Sequence, residues 1–199
     1  HRFTPVDAKT IRYGLGAIKG TGESAIGAMQ RAREGVNGKA GDFTDLFDFC
    51  KRIDKRVVNR RVIEALVRAG AFDSIDENER SEFRQNRARL MASVGIALEA
   101  AEQAERDALQ VGLFDAGSGQ EQRVHMIEAP PWSERERLLN EKQALGFFLS
   151  GHPYNEVRAE LSTFVRRPLG SLEPQKEPVL LAGIVTATRT QMTRRGKMI

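Results

Sequence analysis

The sequence predicts a mainly helical chain whose last residues begin an antiparallel β-structure. Three observations support this fold class. Apolar residues recur at spacings of three and four in several segments, and glycine-rich or proline-containing stretches separate these segments. The segment VLLAGIVTATRT at 179–190 is instead rich in β-branched residues, which is typical of a strand. With 40% hydrophobic residues among 199, the chain can bury a core of normal size.

The N-terminal part contains two predicted helices around a glycine-rich loop. The sequence ESAIGAMQRAR at 23–33 carries an apolar stripe and starts just after a glycine. The loop at 35–41 follows, and Asp42 or Thr44 is expected to cap a short helix that runs through Phe49.

Three more helices are predicted downstream. The helix in NRRVIEALVRAG should begin at an Asn59 N-cap and end at Gly70 in the left-handed conformation. Residues 79–109 are rich in the helix formers Ala, Glu, Arg and Gln. After an exposed linker, another helix should be capped by Ser133 and should stop near Gly151.

Charge is distributed unevenly along the chain. Lys and Arg number 14 against 8 Asp and Glu in residues 1–72, 13 against 19 in 73–178, and 4 against none in 179–199, which gives +6, −6 and +4. Two basic regions around an acidic middle are expected when the ends face a polyanion. Solvated surface charge without a partner is the alternative.

The most specific local pattern is LGAIKGTGESA at 15–25. Gly20 and Gly22 permit a tight turn with positive φ angles and expose the backbone amides at the start of the next helix. With Lys19 beside them, these amides predict an anion site that suits a DNA phosphate and reads no base. A tight turn that joins two packed helices without any ligand is the alternative. A dinucleotide fingerprint does not fit, because no long apolar strand precedes the glycines.

IDKRVVNRRVIEAL at 53–66 repeats this layout of helix, short basic turn and helix. Its turn has no glycines, so close approach of a phosphate to the backbone is less favoured here. Four cations could still reach the DNA backbone through their side chains: Lys55, Arg56, Arg60 and Arg61. A purely structural partner for the first hairpin is the alternative.

Several classes of function have no support in the sequence. The single cysteine, Cys50, lies in an apolar run and is interpreted as a small buried hydrophobe, and the scattered histidines show no metal-ligand spacing. The carboxylates fall in surface patterns such as DENERSE and SERERLLNE. No apolar run approaches the ~20 residues that cross a bilayer, so a cytoplasmic protein without membrane contact is expected.

Three blocks together carry a family resemblance: IRYGLGAIKGTGESAI, DFTDLFDFCKRIDKRVVNRRVIEALVRAGAFD and ALGFFLSGHP. They resemble the alpha-subunit family of bacterial DNA polymerase III over nearly the whole chain. The resemblance implies a tandem helix-hairpin-helix domain, with Lys19, Gly20, Thr21 and Gly22 at the first DNA-contacting hairpin. It also implies that the strand from Val179 opens an OB-type β-barrel, which would bind single-stranded DNA.

The resemblance gives a meaning to QVGLF at 110–114. It looks like the peptide with which bacterial polymerases bind the sliding clamp, the beta subunit. Leu113 and Phe114 would fill an apolar cleft while Gln110 bonds at its edge. Without the family context, packing of the Leu-Phe pair into the core would be favoured.

The family pattern divides the chain into four parts: a helix-hairpin-helix region at 1–109, the clamp-binding peptide and linker at 110–132, a helical connector at 133–177, and the start of the OB domain at 178–199. The family's catalytic carboxylates fall upstream, so Mg²⁺ is expected there. Residues 1–199 should therefore need no cofactor and should be inactive alone. The implied partners are duplex DNA, the clamp, single-stranded DNA and other replicase subunits.

Two other classes of protein remain open from the sequence. One is a repair nuclease, ligase or glycosylase that grips DNA with helix-hairpin-helix units and carries its catalytic domain elsewhere. The other is a protein-docking scaffold whose basic ends bind no DNA. A basic, β-rich segment after Gly151 favours the polymerase, since most repair enzymes do not require one.

Overall fold

The computed structural model describes residues 3–36, 38–75, 83–111, 124–165, 169–185 and 188–192; side chains at 83–86, 110, 111 and 169 lie outside this description. The chain divides into two compact units, residues 1–149 and 150–199. Each unit is described by itself.

The described part of the first unit is mainly helical, as the sequence predicts. It contains an antiparallel pair of two-residue strands, a 3-10 turn at Leu15–Ala17, and five α-helices. The strands are β1 (Thr4–Pro5) and β2 (Ile11–Arg12), and the helices are α1 (Glu23–Glu34), α2 (Leu46–Arg52), α3 (Arg60–Ala69), α4 (Phe83–Val111) and α5 (Glu134–Leu145).

The five helices surround a single apolar core. Helix α4 packs on α2 and α3, and α5 packs on α3. The side chains of Leu46, Ile63 and Leu66 are almost completely buried at the centre. Burial of each such side chain contributes about 1.5–3 kcal/mol, so the core and not helix propensity holds these short helices together. Ala144 and Leu145 at the end of α5 belong to the same core.

Local sequence signals predict most of the helix ends correctly. Helix α1 begins directly after Gly22, and the Asn59 side chain accepts a hydrogen bond from the Val62 amide at 3.2 Å. Gly70 ends α3 with a φ of +79°. Ser133 caps α5 in a reciprocal capping box with Glu136. Each of these predicted caps is confirmed.

Two predicted helix ends are wrong. The α2 cap is Asp45, which accepts a hydrogen bond from the Asp48 amide at 2.8 Å, and not Asp42 or Thr44. Asp45 directly precedes Leu46, and burial of Leu46 fixes where this helix starts. Helix α5 ends before Gly151, because Gly146 adopts the left-handed conformation with a φ of +89°.

The second unit contains α6 (Tyr154–Leu161) and a 3-10 turn at Leu169–Ser171. The strand predicted from Val179 is not observed: residues 179–185 and 188–191 form no strand. A strand needs a hydrogen-bonded neighbour, and the described residues of this unit supply none. An OB barrel is therefore not confirmed. Among the described helices of both units, none combines the length and the apolar character that crossing a membrane requires.

Candidate nucleic-acid interface

The first hairpin connects the 3-10 turn to α1 through residues Ile18–Gly22, which we call the first turn. Ile18 is buried in extended conformation and anchors the turn to the core. Gly20 has a φ of +91°, which L-residues other than glycine rarely adopt. Gly22 has an ordinary φ of −77°, so the expectation of a positive φ holds only for Gly20. Gly20 and Gly22 are both exposed.

Thr21 holds the first turn together from the inside. It is buried, and its hydroxyl lies 2.7 Å from the Leu15 carbonyl oxygen and 2.6 Å from that of Ile18. Its amide donates to the Ile18 carbonyl at 3.1 Å. Because its hydroxyl and its amide both bond to backbone carbonyls of Leu15 and Ile18, Thr21 fixes the conformation of the turn.

The start of α1 presents backbone donors to solvent. Gly22 is the N-cap and has no side chain to satisfy the first amides of the helix. Within the described residues, the amides of Gly20, Gly22 and Ser24 donate to no other group. A helix N-terminus carries about half a positive charge, and exposed Lys19 adds a full one. Glu23 is the acidic residue of the first turn of the helix.

The second hairpin joins α2 to α3 through residues Ile53–Asn59, the second turn. Ile53 is buried and extended, like Ile18 in the first turn. The amides of Val57 and Val58 donate to the Asp54 carbonyl at 3.0 and 2.9 Å. With the Asn59 side chain seated over the first turn of α3, this helix start is already capped by protein.

Three of the four predicted DNA-contacting cations at the second turn have acidic partners. Lys55 Nζ lies 2.7 Å from Glu105 on α4, and only 16% of the Lys55 side chain is exposed. Arg56 pairs with Asp54 at 3.1 Å, and this hydrogen bond lowers the pKa of the Asp54 carboxyl. Arg60 pairs with Glu64 at 2.8 Å. Arg61 is exposed and has no ion-pair partner among the described residues.

Arg52, in the last turn of α2, was missed by sequence reasoning. Its guanidinium donates to the carbonyl oxygens of Ala32, Gly41 and Asp42 at 3.0, 2.6 and 3.0 Å. It also pairs with Asp48 at 2.9 Å. This one side chain therefore ties the C-terminal end of α1 and the following loop to the second hairpin. A basic residue in the last turn of a helix was the available signal, but it does not indicate these distant partners.

The predicted clamp-binding residues lie at the edge of the described structure. The backbone of Gln110 belongs to the last turn of α4, which ends at Val111. Leu113 and Phe114 lie outside the described residues. The clamp assignment therefore remains a prediction.

The described residues contain no group of three or more His, Cys, Asp or Glu side chains that could hold a metal ion. Cys50 is fully buried, as predicted, and burial raises the pKa of its thiol to about 12. Trp132 is partly buried and packs against the core.

The N-terminal region, which contains the two turns, is similar to a known family. Residues 1–82, which span both hairpins, match a family model described as a helix-hairpin-helix motif. The N-terminal region of the chain is therefore similar to helix-hairpin-helix proteins. That match covers the two turns and ends before α4.

Comparisons along the whole of this chain give its particular relatives. The chain is 46% identical over 198 residues to DNA polymerase III subunit alpha of Neisseria meningitidis serogroup A, 40% over 208 residues to that of Vibrio cholerae, and 37% over 206 residues to that of Escherichia coli K12. Each alignment covers 100% of this chain and 16–17% of the relative. The chain is therefore similar, along its whole length, to one region of DNA polymerase III subunit alpha, and spans about a sixth of these relatives.

Proposed function

We propose that this chain is the part of a replicative DNA polymerase alpha subunit that holds duplex DNA through its phosphates and tethers the enzyme to the sliding clamp. The observation that carries the DNA assignment is the first turn, where the amides of Gly20, Gly22 and Ser24 donate to none of the described residues and lie beside Lys19. The similarity to DNA polymerase III subunit alpha supplies the setting in which such a site faces DNA.

The physics of this site favours binding without sequence preference. Backbone amides and a lysine recognise a phosphate oxygen, which is the same at every base pair. A protein that neutralises phosphates releases condensed counterions, so its affinity must fall as salt rises. A polymerase that moves along its template benefits from such a grip, because it holds every register equally.

The DNA assignment is tested by fluorescence anisotropy with a labelled duplex at two or more salt concentrations. Affinity should fall steeply with salt, and Lys19→Gln should weaken binding on every sequence and reduce the salt slope by about 1. Lys39→Gln is the matched control, since it removes the same charge from an exposed loop residue. Salt-independent binding, or equal effects of the two substitutions, would contradict the assignment.

The clamp assignment rests on QVGLF and on its place at the C-terminal end of α4. An apolar Leu-Phe pair inserted into a cleft is a common form of peptide anchor. Two weak attachments in one chain, one to DNA and one to the clamp, act on each other at high effective concentration. Processive synthesis would therefore not require either attachment to be tight.

Calorimetric titration with the sliding clamp tests this part separately. Leu113→Ala combined with Phe114→Ala should abolish clamp binding and leave duplex affinity unchanged. A clamp affinity that survives the double substitution would remove the peptide assignment. The DNA titration above would be unaffected by that outcome.

In the same proposal, nucleotidyl transfer and its Mg²⁺ belong to upstream regions of the parent subunit. Residues 1–199 are inactive alone. Contacts with single-stranded DNA through an OB domain and with other replicase subunits belong to the residues around and beyond Val179. The repair-enzyme alternative is less well supported, because all three relatives described above are DNA polymerase III alpha subunits.

A further inference from the structure

The C-terminal end of α5 contacts the first turn directly. The Lys19 amide donates a hydrogen bond to the Ala144 carbonyl oxygen at 2.8 Å. The end of the Lys19 side chain, at Cε and Nζ, passes 3.7 Å from the point where a side chain on Gly146 would begin. Residues separated by 125 positions in sequence therefore meet at the centre of the proposed phosphate site.

This hydrogen bond gives a partner both to the Ala144 carbonyl and to the Lys19 amide. The last four carbonyl groups of a helix have no partner within the helix, and Ala144 is one of them. The first turn is preceded only by the short 3-10 turn at Leu15–Ala17, so no regular helix on that side holds its backbone. The partial negative charge at the end of α5 also attracts the Lys19 ammonium.

Helix α5 is itself fixed by a buried ion cluster. Glu141 is fully buried, and one of its carboxylate oxygens lies 3.0 Å from Arg87 Nη1 on α4. The other accepts a hydrogen bond from the Leu149 amide at 2.8 Å. Arg87 also pairs with Asp73, just after α3. Burial alone lowers the pKa of Arg87, but Asp73 and Glu141 outweigh this effect and leave it raised, so the Arg87 guanidinium stays charged.

We propose that α5, held by Glu141, is a positioning element for the DNA-contacting first turn, with Ala144 and Gly146 as its point of contact. This inference rests on the proposed function, since it concerns how the same phosphate site is kept in its binding geometry. Glu141 does not touch the ligand. It acts through α5 on the Lys19 backbone.

A purely electrostatic effect and a positioning role predict opposite changes in duplex affinity for Glu141→Gln. Glu141→Gln removes a negative charge, so electrostatics alone would leave affinity for a polyanion unchanged or slightly higher. The positioning role predicts weaker binding, by about two- to tenfold, because the Gln side chain no longer holds Arg87 as an ion pair. Glu134→Gln is the matched control: it removes the same charge from the exposed start of α5.

Amide hydrogen exchange supplies a local measurement that needs no DNA. Glu141→Gln should speed exchange of the Lys19 amide, whose partner is the Ala144 carbonyl, relative to the amide of Val67 in buried α3. Equal acceleration at both amides would indicate general destabilisation and would overturn the positioning role. Glu134→Gln should change neither amide.

Gly146→Ala provides a second variant if Glu141→Gln folds poorly. The φ of +89° at Gly146 strains any L-residue, while the new methyl group would meet Lys19 only at ordinary contact distance. Gly41→Ala is its control, with a φ of +109° and open space around it. Gly146→Ala should expose the Lys19 amide and weaken duplex binding, and Gly41→Ala should do neither.

The outcomes separate this inference from the proposed function. Faster Lys19 exchange together with weaker duplex binding supports it. Unchanged Lys19 exchange in both variants overturns it, as does faster exchange with unchanged affinity. Failure of the wild-type chain to bind duplex DNA would overturn the proposed function, and with it the claim that α5 positions a DNA site.

Discussion

The two helical hairpins have the same layout, but the exposed faces of their turns differ. In each, a buried isoleucine in extended conformation ends the first element, Ile18 in one and Ile53 in the other. A short basic turn follows, and a helix ending at a left-handed glycine, Gly35 or Gly70, completes the unit. The core-facing side of the hairpin is thus repeated within 70 residues of chain.

The difference lies in what satisfies the start of the second helix. In the second turn, the Asn59 side chain caps α3, and the basic side chains of Lys55 and Arg60 are paired with carboxylates. In the first turn, glycine occupies the cap position and Lys19 is exposed. The start of the second helix is therefore covered by protein side chains in one hairpin, and in the other its amide donors are exposed.

This comparison explains how one motif can serve two purposes. A capped and ion-paired turn gains stability from protein groups, while an uncapped turn loses that stability and keeps its affinity for anions. We therefore expect the first hairpin to provide most of the DNA contact and the second to act mainly as its scaffold. The predictions that follow test this division.

The largest effect on DNA binding is expected from Gly20→Val. A β-branched residue at a φ of +91° costs about 1–2 kcal/mol and would force the turn to rearrange. Hydrogen bonds to a charged group contribute about 1.5–3 kcal/mol each, so losing even one should weaken duplex binding by about tenfold or more. Fluorescence anisotropy measures this loss.

Gly38→Val is the control for Gly20→Val. Gly38 lies in the exposed loop after α1 with a φ of +140° and nothing near its Cβ position. The substitution should lower thermal stability in the same way and leave duplex affinity unchanged. Equal affinities for the two variants would mean that the first turn is not the DNA contact.

In the second hairpin, the expected effect is on stability. Asn59→Ala removes the side-chain cap of α3 and should lower the free energy of unfolding by about 1 kcal/mol. Urea denaturation measures this change, and the duplex affinity of the folded variant should stay at the wild-type value. A large loss of affinity in Asn59→Ala would show that the second turn contacts DNA after all.

A smaller effect is expected at the ion pair that covers Lys55. Glu105→Gln frees the Lys55 ammonium from an ion pair in which only the Glu105 side chain is largely exposed. An ion pair near the surface is worth about 0.2–1 kcal/mol, so duplex affinity should rise by no more than about fivefold. Glu102→Gln removes the same charge from an exposed position one turn away on α4. If Glu105→Gln raises affinity no more than Glu102→Gln, release of Lys55 adds nothing to DNA binding.

The sequence predicts the parts of this fold that depend on near neighbours. Asn59, Gly70 and the Ser133–Glu136 pair act within a few residues, so the hydrogen bonds that they make follow from spacing alone. The exposed backbone at the glycines of the first turn was also predictable, because glycine has no side chain that could cover it.

The parts that were missed depend on residues far apart in sequence. Lys55 is 50 positions from Glu105, and Arg87 is 54 from Glu141. Local pattern indicates that such residues are charged, but only the packing of α4 and α5 decides which charges meet. The strand predicted from Val179 fails for a related reason: β-branched composition favours a strand, but only a paired neighbour creates one.

The smallest effect of DNA binding is expected on the alkylation rate of Cys50, which lies in α2 of the second hairpin. Since burial raises the pKa of its thiol to about 12, the thiolate that reacts with iodoacetamide is scarce at pH 8. Alkylation should therefore be slower than that of a free thiol by about 100-fold or more, and should become faster as the pH rises towards this pKa. Saturating duplex should change the rate less than about twofold, because a scaffold hairpin need not move when the first turn binds DNA. A marked change in Cys50 alkylation on DNA binding would show that the two hairpins respond together.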